Sequence, residues 1–306
     1  MKSLSAVPTE GWEAGAFSSF FGPDPLFLFF VVVLTSLGTW GLPQMVGKFY
    51  AIKSEKDIHK GTVISTVFAI IVAGGCYFLG GFGRLFSDKI DIAANGYDSV
   101  IPTMLARLSP ALIALIVILV LSASMSTLSS LVIASSSTLT IDFIKGFISK
   151  KMSDKKQVFV IRIFIVVFIA ISAILALIQY KSSVTFIAQL MGISWGALAG
   201  AFLAPFLYGL YVKRTSTAAV WVSFIVGIGI MCGCMYCTFT GKVFIDPFFT
   251  SPINAGVLAM VAGLVLVPIV SAFTRVADKA KVDDMFACYD RTVTVRASTA
   301  LRDDEE

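Results

Sequence analysis

Charge is scarce in this 306-residue sequence: only 14% of residues are Asp, Glu, Lys or Arg, against about a quarter in soluble domains. Histidine is nearly absent. His59 is the only one and lies in a basic segment, which excludes a two-histidine haem or a His-rich metal site. No apolar run holds a pair of carboxylates, and no phosphate-cradling glycine loop is present. A catalytic acid–base set inside the apolar part is therefore excluded, and no enzyme activity is expected. The cysteines number five: Cys76, Cys232, Cys234 and Cys237 in apolar runs and Cys288 in a polar tail. An odd number in such places is no disulfide framework. The 232/234/237 cluster reads as small apolar packing residues rather than a transition-metal site. Residues 1–24 lack a basic segment leading into an apolar core, so no signal peptide is expected.

What the sequence has in abundance is apolar length. Hydrophobic residues make up 57% of the chain and mean hydropathy is +0.88. A membrane-crossing helix needs about 20 mostly apolar residues. Seven such runs follow one another: Pro25–Met45, Gly61–Phe82, Pro110–Ile133 with a helical continuation to Ile144, Phe159–Gln179, Val184–Tyr211, Ala218–Phe239 and Ala255–Phe273. The chain is expected to be an all-α integral membrane protein with about seven transmembrane helices. The net charge of +5 does not point to nucleic acid, because the basic residues sit in short clusters between the apolar runs. Counted on alternate sides, 17 Lys and Arg fall on one side and 6 on the other. The richer side is cytoplasmic by the positive-inside rule. This divides the chain into an extracellular segment, 1–24, a transmembrane domain, 25–274, and a cytoplasmic tail, 275–306. Between the second and third runs, Val100–Leu108 is expected to form a short surface helix. Asp142 is expected to pair locally with Lys145.

Three stretches carry polar chemistry into the apolar runs. Thr35–Gln44 (TSLGTWGLPQ) places two glycines, a proline and four polar side chains in the first run. Pro43 lacks an N–H, so the helix breaks or kinks there. Broken membrane helices mark solute sites in transporters, but a kinked packing helix has the same signature. From Ser122 to Thr140, 11 of 19 residues are Ser or Thr. Ser126 and Thr127 follow Ala123 by three and four residues, so both hydroxyls lie beside the Ala123 carbonyl on one helix face. Three neutral oxygens in such a cluster suit a hard cation. A stripe of small residues for close helix packing gives the same pattern. In the fifth run, Gln189, Ser194 and Trp195 precede Gly196, Gly200 and Pro205. An embedded Gln needs a partner or a ligand.

Four blocks resemble the sodium:solute symporters: Gly38–Lys60 (GTWGLPQMVGKFYAIKSEKDIHK), Tyr97–Leu105 (YDSVIPTML), Ser122–Asp142 (SASMSTLSSLVIASSSTLTID) and Trp195–Thr215 (WGALAGAFLAPFLYGLYVKRT). The resemblance implies a leucine-transporter-like fold, of which this chain is the second inverted repeat plus two peripheral helices. It implies a sodium-coupled symporter of a small polar solute in the plasma membrane, multi-pass, with sodium as coupling ion and no cofactor. By the same resemblance Ala123, Ser126 and Thr127 line the sodium site, and Ser36, Thr39, Trp40 and Gln189 face the solute. The family's first repeat, whose first-helix carbonyls complete the sodium site, has no counterpart here. The expectation is a partial chain or a separate N-terminal half as partner. A non-transporting membrane scaffold or sensor subunit is the competing reading.

Overall fold

A computed structural model describes residues 15–42, 45, 52, 55–89, 96–182, 187–240, 247–276 and 279–290. Helices are the only regular structure among the described residues: α1 (Pro25–Trp40), α2 (Glu55–Gly81), α3 (Val100–Leu105), α4 (Pro110–Thr138), α5 (Asp154–Ser182), α6 (Ile187–Tyr211), α7 (Thr217–Thr240), α8 (Pro252–Phe273) and α9 (Lys279–Phe286). Six stretches are long and apolar enough to cross a membrane: Asp57–Phe86, Pro110–Ile148, Asp154–Ile178, Gln189–Tyr211, Thr217–Thr238 and Pro252–Phe273. The first expected span falls short of this length, because α1 is regular for 16 residues and stops at Trp40. Pro43, the residue expected to break it, lies outside the described residues, as does Gln44.

The chain divides into two compact units, residues 1–28 with 46–190 and residues 29–45 with 191–306. In the first unit α1 starts where Asp24 caps it. The Asp24 carboxylate accepts from the Phe27 backbone N–H at 2.9 Å, and Pro25 takes the first helical position, where its missing N–H costs nothing. The 3-10 segment Phe82–Lys89 extends α2. Gly83 there is tight against Val100 of α3, whose side chain lies 2.7 Å from where a Cβ would stand. The expected surface helix at 100–108 is thus present as α3, ending at Leu105.

The long apolar helix α4 runs on past Thr138 as a π-helix, Leu139–Ile148. The Ser149 N–H bonds five residues back, to the Ile144 carbonyl, at 2.7 Å. This winding removes the basis of the expected Asp142–Lys145 pair, which is not seen. Residues three apart share a face in an α-helix, and the wider π turn takes them off it. The turn into α5 is held by Gln157, which is buried. Its amide donates to the Met152 carbonyl and to the Asp154 carboxylate, both at 3.2 Å.

The second unit packs α6, α8 and the 29–40 part of α1 around Leu34, Ala199, Leu203, Ile253, Val257 and Met260, and α7 joins them through Met231, Cys234 and Ala219. Small residues bring the backbones together. A Cβ on Gly196 of α6 would lie 2.6 Å from the Gly256 Cα of α8. One on Gly227 of α7 would lie 2.6 Å from the Gly200 carbonyl of α6. Close helix contact through small residues is the main attraction open to helices in lipid. The cysteines expected to pack do so in part: Cys234 is buried beside Met231, Ala255 and Ala259, Cys237 is half-buried and Cys232 is exposed.

Two prolines lie inside these helices, and each frees a carbonyl four residues earlier. Pro268 of α8 frees Leu264, and the Tyr208 hydroxyl of α6 donates to the Leu264 carbonyl at 2.8 Å. Pro205 of α6 frees Ala201, and the buried Ser223 hydroxyl of α7 donates to the Ala201 carbonyl at 3.3 Å and approaches that of Gly200 at 3.5 Å. Backbone groups freed in lipid need such partners. Tyr208→Phe is therefore expected to destabilise the protein by about 1–3 kcal/mol. In a Pro268→Ala background, where residue 268 regains its N–H, the same change should cost much less. Thermal unfolding of the two single variants and the double variant in detergent checks this. Equal costs in both backgrounds would remove the Leu264 carbonyl from the explanation.

The α6–α7 turn and the end of α8 are tied by hydroxyls. Ser216 caps α7, its Oγ accepting from the Ala219 N–H at 3.1 Å. The Ser216 N–H donates to Ser271 Oγ at 3.2 Å, and the Ser216 and Thr274 hydroxyls share a hydrogen bond.

Candidate functional site

The expected sodium residues stand on one turn of α4. Their position follows from helix geometry, because residues three and four apart lie one above the other. Ser126 Oγ donates to the Ala123 carbonyl at 2.9 Å. One turn on, Ser130 Oγ donates to the Thr127 carbonyl at 2.8 Å, and Ser129 Oγ to that of Met125 at 2.7 Å. Ala123, Ser126 and Thr127 are all exposed. Bonding back to the preceding turn is the resting state of a membrane hydroxyl, and it leaves the oxygen lone pairs outward. The Ala123 carbonyl and the Ser126 and Thr127 side chains thus lie along one helix face, three and four residues apart.

The expected solute-facing residues fall into two places. Ser36, Thr39 and Trp40 share the last turn of α1. Ser36 and Trp40 are exposed, and half-buried Thr39 donates to the Ser36 carbonyl at 2.8 Å. The helix ends loosely here: the Gly41 N–H reaches Leu37 and the Leu42 N–H reaches Thr39, both at 3.4 Å. Gly41 is required at this point, since a Cβ would stand 2.7 Å from the Ala199 Cα. Gly38 meets only ordinary contacts, the nearest at 3.8 Å. Gln189, half-buried near the start of α6, belongs to the first unit. The structure thus brings Ser36, Thr39 and Trp40 together, and separately Ala123, Ser126 and Thr127.

Farther along the hydroxyl-rich helix, Ser136 and Thr140 sit one turn apart and are wholly buried. Neither hydroxyl has a hydrogen-bond partner among the described residues. Sequence reasoning counted them with the other hydroxyls, since nothing in a Ser/Thr run separates buried members from exposed ones. They flank the passage from α to π winding at Leu139. Leaving a buried hydroxyl unmatched costs about 1–3 kcal/mol, and replacing it by an apolar group of the same shape is neutral or stabilising. Thr140→Val is accordingly expected to hold or raise the thermal midpoint. A clear fall would show that Thr140 is hydrogen-bonded in the membrane.

The profile of the sodium:solute symporter family matches residues 16–227, which takes in α1 to the middle of α7. The osmoregulated proline transporter of Bacillus subtilis is 29% identical over 192 residues, 62% of this chain and 38% of that protein. The sodium/proline symporter of Haemophilus influenzae is 29% identical over 204 residues, 63% of this chain and 40% of the relative. The sodium/pantothenate symporter of the same organism is 27% identical over 198 residues, 64% and 40%. The chain thus spans about two fifths of the length of these curated relatives. No solved structure matches it.

Proposed function

Because this chain belongs to the sodium:solute symporter family, its residues 16–227 matching the family profile, we propose that it serves sodium-coupled uptake of a small polar solute. The observation that carries the reading is the oxygen cluster on α4, where Ser126 Oγ stands 2.9 Å from the Ala123 carbonyl and Thr127 follows on the same face. Neutral hydroxyl and carbonyl oxygens suit a monovalent hard ion, whose single charge does not need a carboxylate to balance it. The ligands that close the ion's shell come from the first repeat, on the same polypeptide or as a separate N-terminal half.

The solute contacts we assign are Ser36, Thr39 and Trp40 at the end of α1; Gln189, in the other unit, is a separate candidate. Proline and pantothenate, named for the relatives, are both small carboxylates, and a solute of that class is the one we assign. A helix end with loose backbone bonds offers N–H and C=O groups for its polar atoms. The reading places the protein in the plasma membrane with residues 1–24 outside and the tail 275–306 in the cytoplasm, which the bias of Lys and Arg to one side supports.

The test is uptake of radiolabelled proline and pantothenate into proteoliposomes containing the protein as its cell makes it, with an inward sodium gradient or an equal potassium gradient. Sodium-specific accumulation of either solute supports the reading. Equal uptake in sodium and potassium overturns the coupling.

A further inference from the structure

A basic cavity of about 640 Å³ opens in the second unit where α6 and α8 end. The α6–α7 turn contributes Lys213 and Arg214, and the segment after α8 contributes Arg275 and, at the start of α9, Lys279. Among the described residues one carboxylate lines the cavity, Asp283, 3.8 Å from Lys213 Nζ with both side chains mostly in solvent. Arg214 is fixed in place, its Nη2 donating to the Ala272 carbonyl at 3.0 Å. The segment 279–290 is docked here too, through Tyr289 Oη to the Leu210 carbonyl at 3.1 Å and Lys213 over the Phe286 ring at 5.7 Å.

Arg214 also lines a second, smaller cavity of about 150 Å³, walled by Tyr208, Val212, Val267 and Pro268. On one side of this guanidinium is a pocket of cations, and on the other an apolar cleft between helices that span the membrane. Tyr211 and Phe273, the last residues of α6 and α8, are 69% and 87% exposed. The ligand that satisfies both halves is amphipathic, with an anionic head and a hydrocarbon tail.

We propose that this is a binding site for an anionic phospholipid, with its phosphate among Lys213, Arg214, Arg275 and Lys279 and an acyl chain along the cleft. Guanidinium pairs with phosphate oxygens through two parallel hydrogen bonds. Basic pockets at the ends of membrane helices are suited to anionic headgroups. A free phosphate would use the cations but leave the cleft empty. The site rests only on α6 and α8 crossing the membrane, so its failure would leave the transport reading untouched, and the reverse.

The probes are phosphatidylglycerol and phosphatidylcholine, offered in equal amounts to the purified full chain. Retained lipid is read by native mass spectrometry. The wild type is expected to keep phosphatidylglycerol in preference. Arg275→Gln with Lys279→Gln should lower that retention about tenfold, whereas Arg275→Lys with Lys279→Arg should preserve it. Lys150→Gln with Lys281→Gln, which removes the same charge away from the cavity lining, should leave it unchanged. Equal retention of the two lipids, or an equal loss in both Gln pairs, overturns the proposal. Displacement of phosphatidylglycerol by millimolar inorganic phosphate also overturns it, because the pocket would then take a phosphate anion without its lipid.

Discussion

Thr127→Ala is expected to raise the sodium concentration that half-activates uptake by about ten- to a hundredfold, with solute affinity at saturating sodium nearly unchanged. The size follows from the chemistry of the α4 cluster. A hydroxyl oxygen bound to a cation contributes roughly 1.5–3 kcal/mol, and each 1.4 kcal/mol is a factor of ten. Ser126→Ala should act in the same direction and more weakly. Ser126 Oγ is already bonded to the Ala123 carbonyl at 2.9 Å, so part of what the ion supplies replaces an existing bond. Its removal also frees that carbonyl for the ion. Ser130→Ala, one turn on and bonded to the Thr127 carbonyl, tests a different point: loss of that bond leaves Thr127 in place and should alter sodium activation less than either. The check is sodium-dependent uptake at fixed solute, followed by solute titration at saturating sodium. An unchanged sodium dependence in both Ser126→Ala and Thr127→Ala would remove the ion from this turn of α4.

Gly196→Ala is expected to destabilise the protein by about 1–3 kcal/mol, the cost of forcing one extra carbon into a filled space. The new Cβ would stand 2.6 Å from the Gly256 Cα and 3.0 Å from the Met231 side chain. Non-bonded carbons need about 3.5–4 Å, so α6 and α8 have to move apart by about 1 Å. Methionine can swing away, but the backbone at Gly256 cannot. The neighbouring contacts of the Leu34–Met260 cluster open with the same movement. Gly229→Ala on α7 is the matched comparison, since nothing lies within 4 Å of its Cβ position. It should keep or raise the thermal midpoint, because alanine is the better helix former. Thermal unfolding of both variants in detergent separates the two cases. A Gly196→Ala protein as stable as wild type would mean that α6 and α8 do not touch at this point.

The spans were legible because apolar length is a local property. Each of the last six runs in the sequence corresponds to a long helix, with ends shifted by a few residues. The end of α1 was legible in part. Glycine and proline mark a break, yet only contact with Ala199, some 160 residues away, shows that Gly41 rather than Gly38 has to be glycine. The hydroxyl bonds of Tyr208 and Ser223 were hidden for the same reason. Pro268 and Pro205 announce two orphan carbonyls, but the donors arrive from other helices. The π segment Leu139–Ile148 (LTIDFIKGFI) left no mark in the sequence, because its mostly apolar residues suit an α-helix equally well. The residues we assign to sodium were readable only as a spacing of three and four along one helix. The basic cavity was visible only as flanking charge, because its cations come from both ends of a hairpin of two membrane helices.

The most direct measurement is equilibrium binding of radioactive sodium to the purified protein as its cell makes it, beside the variant carrying both Ser126→Ala and Thr127→Ala. Saturable sodium binding that potassium does not displace and that the double variant loses is the result predicted. Binding of the same strength in both proteins would contradict the assignment of sodium to α4.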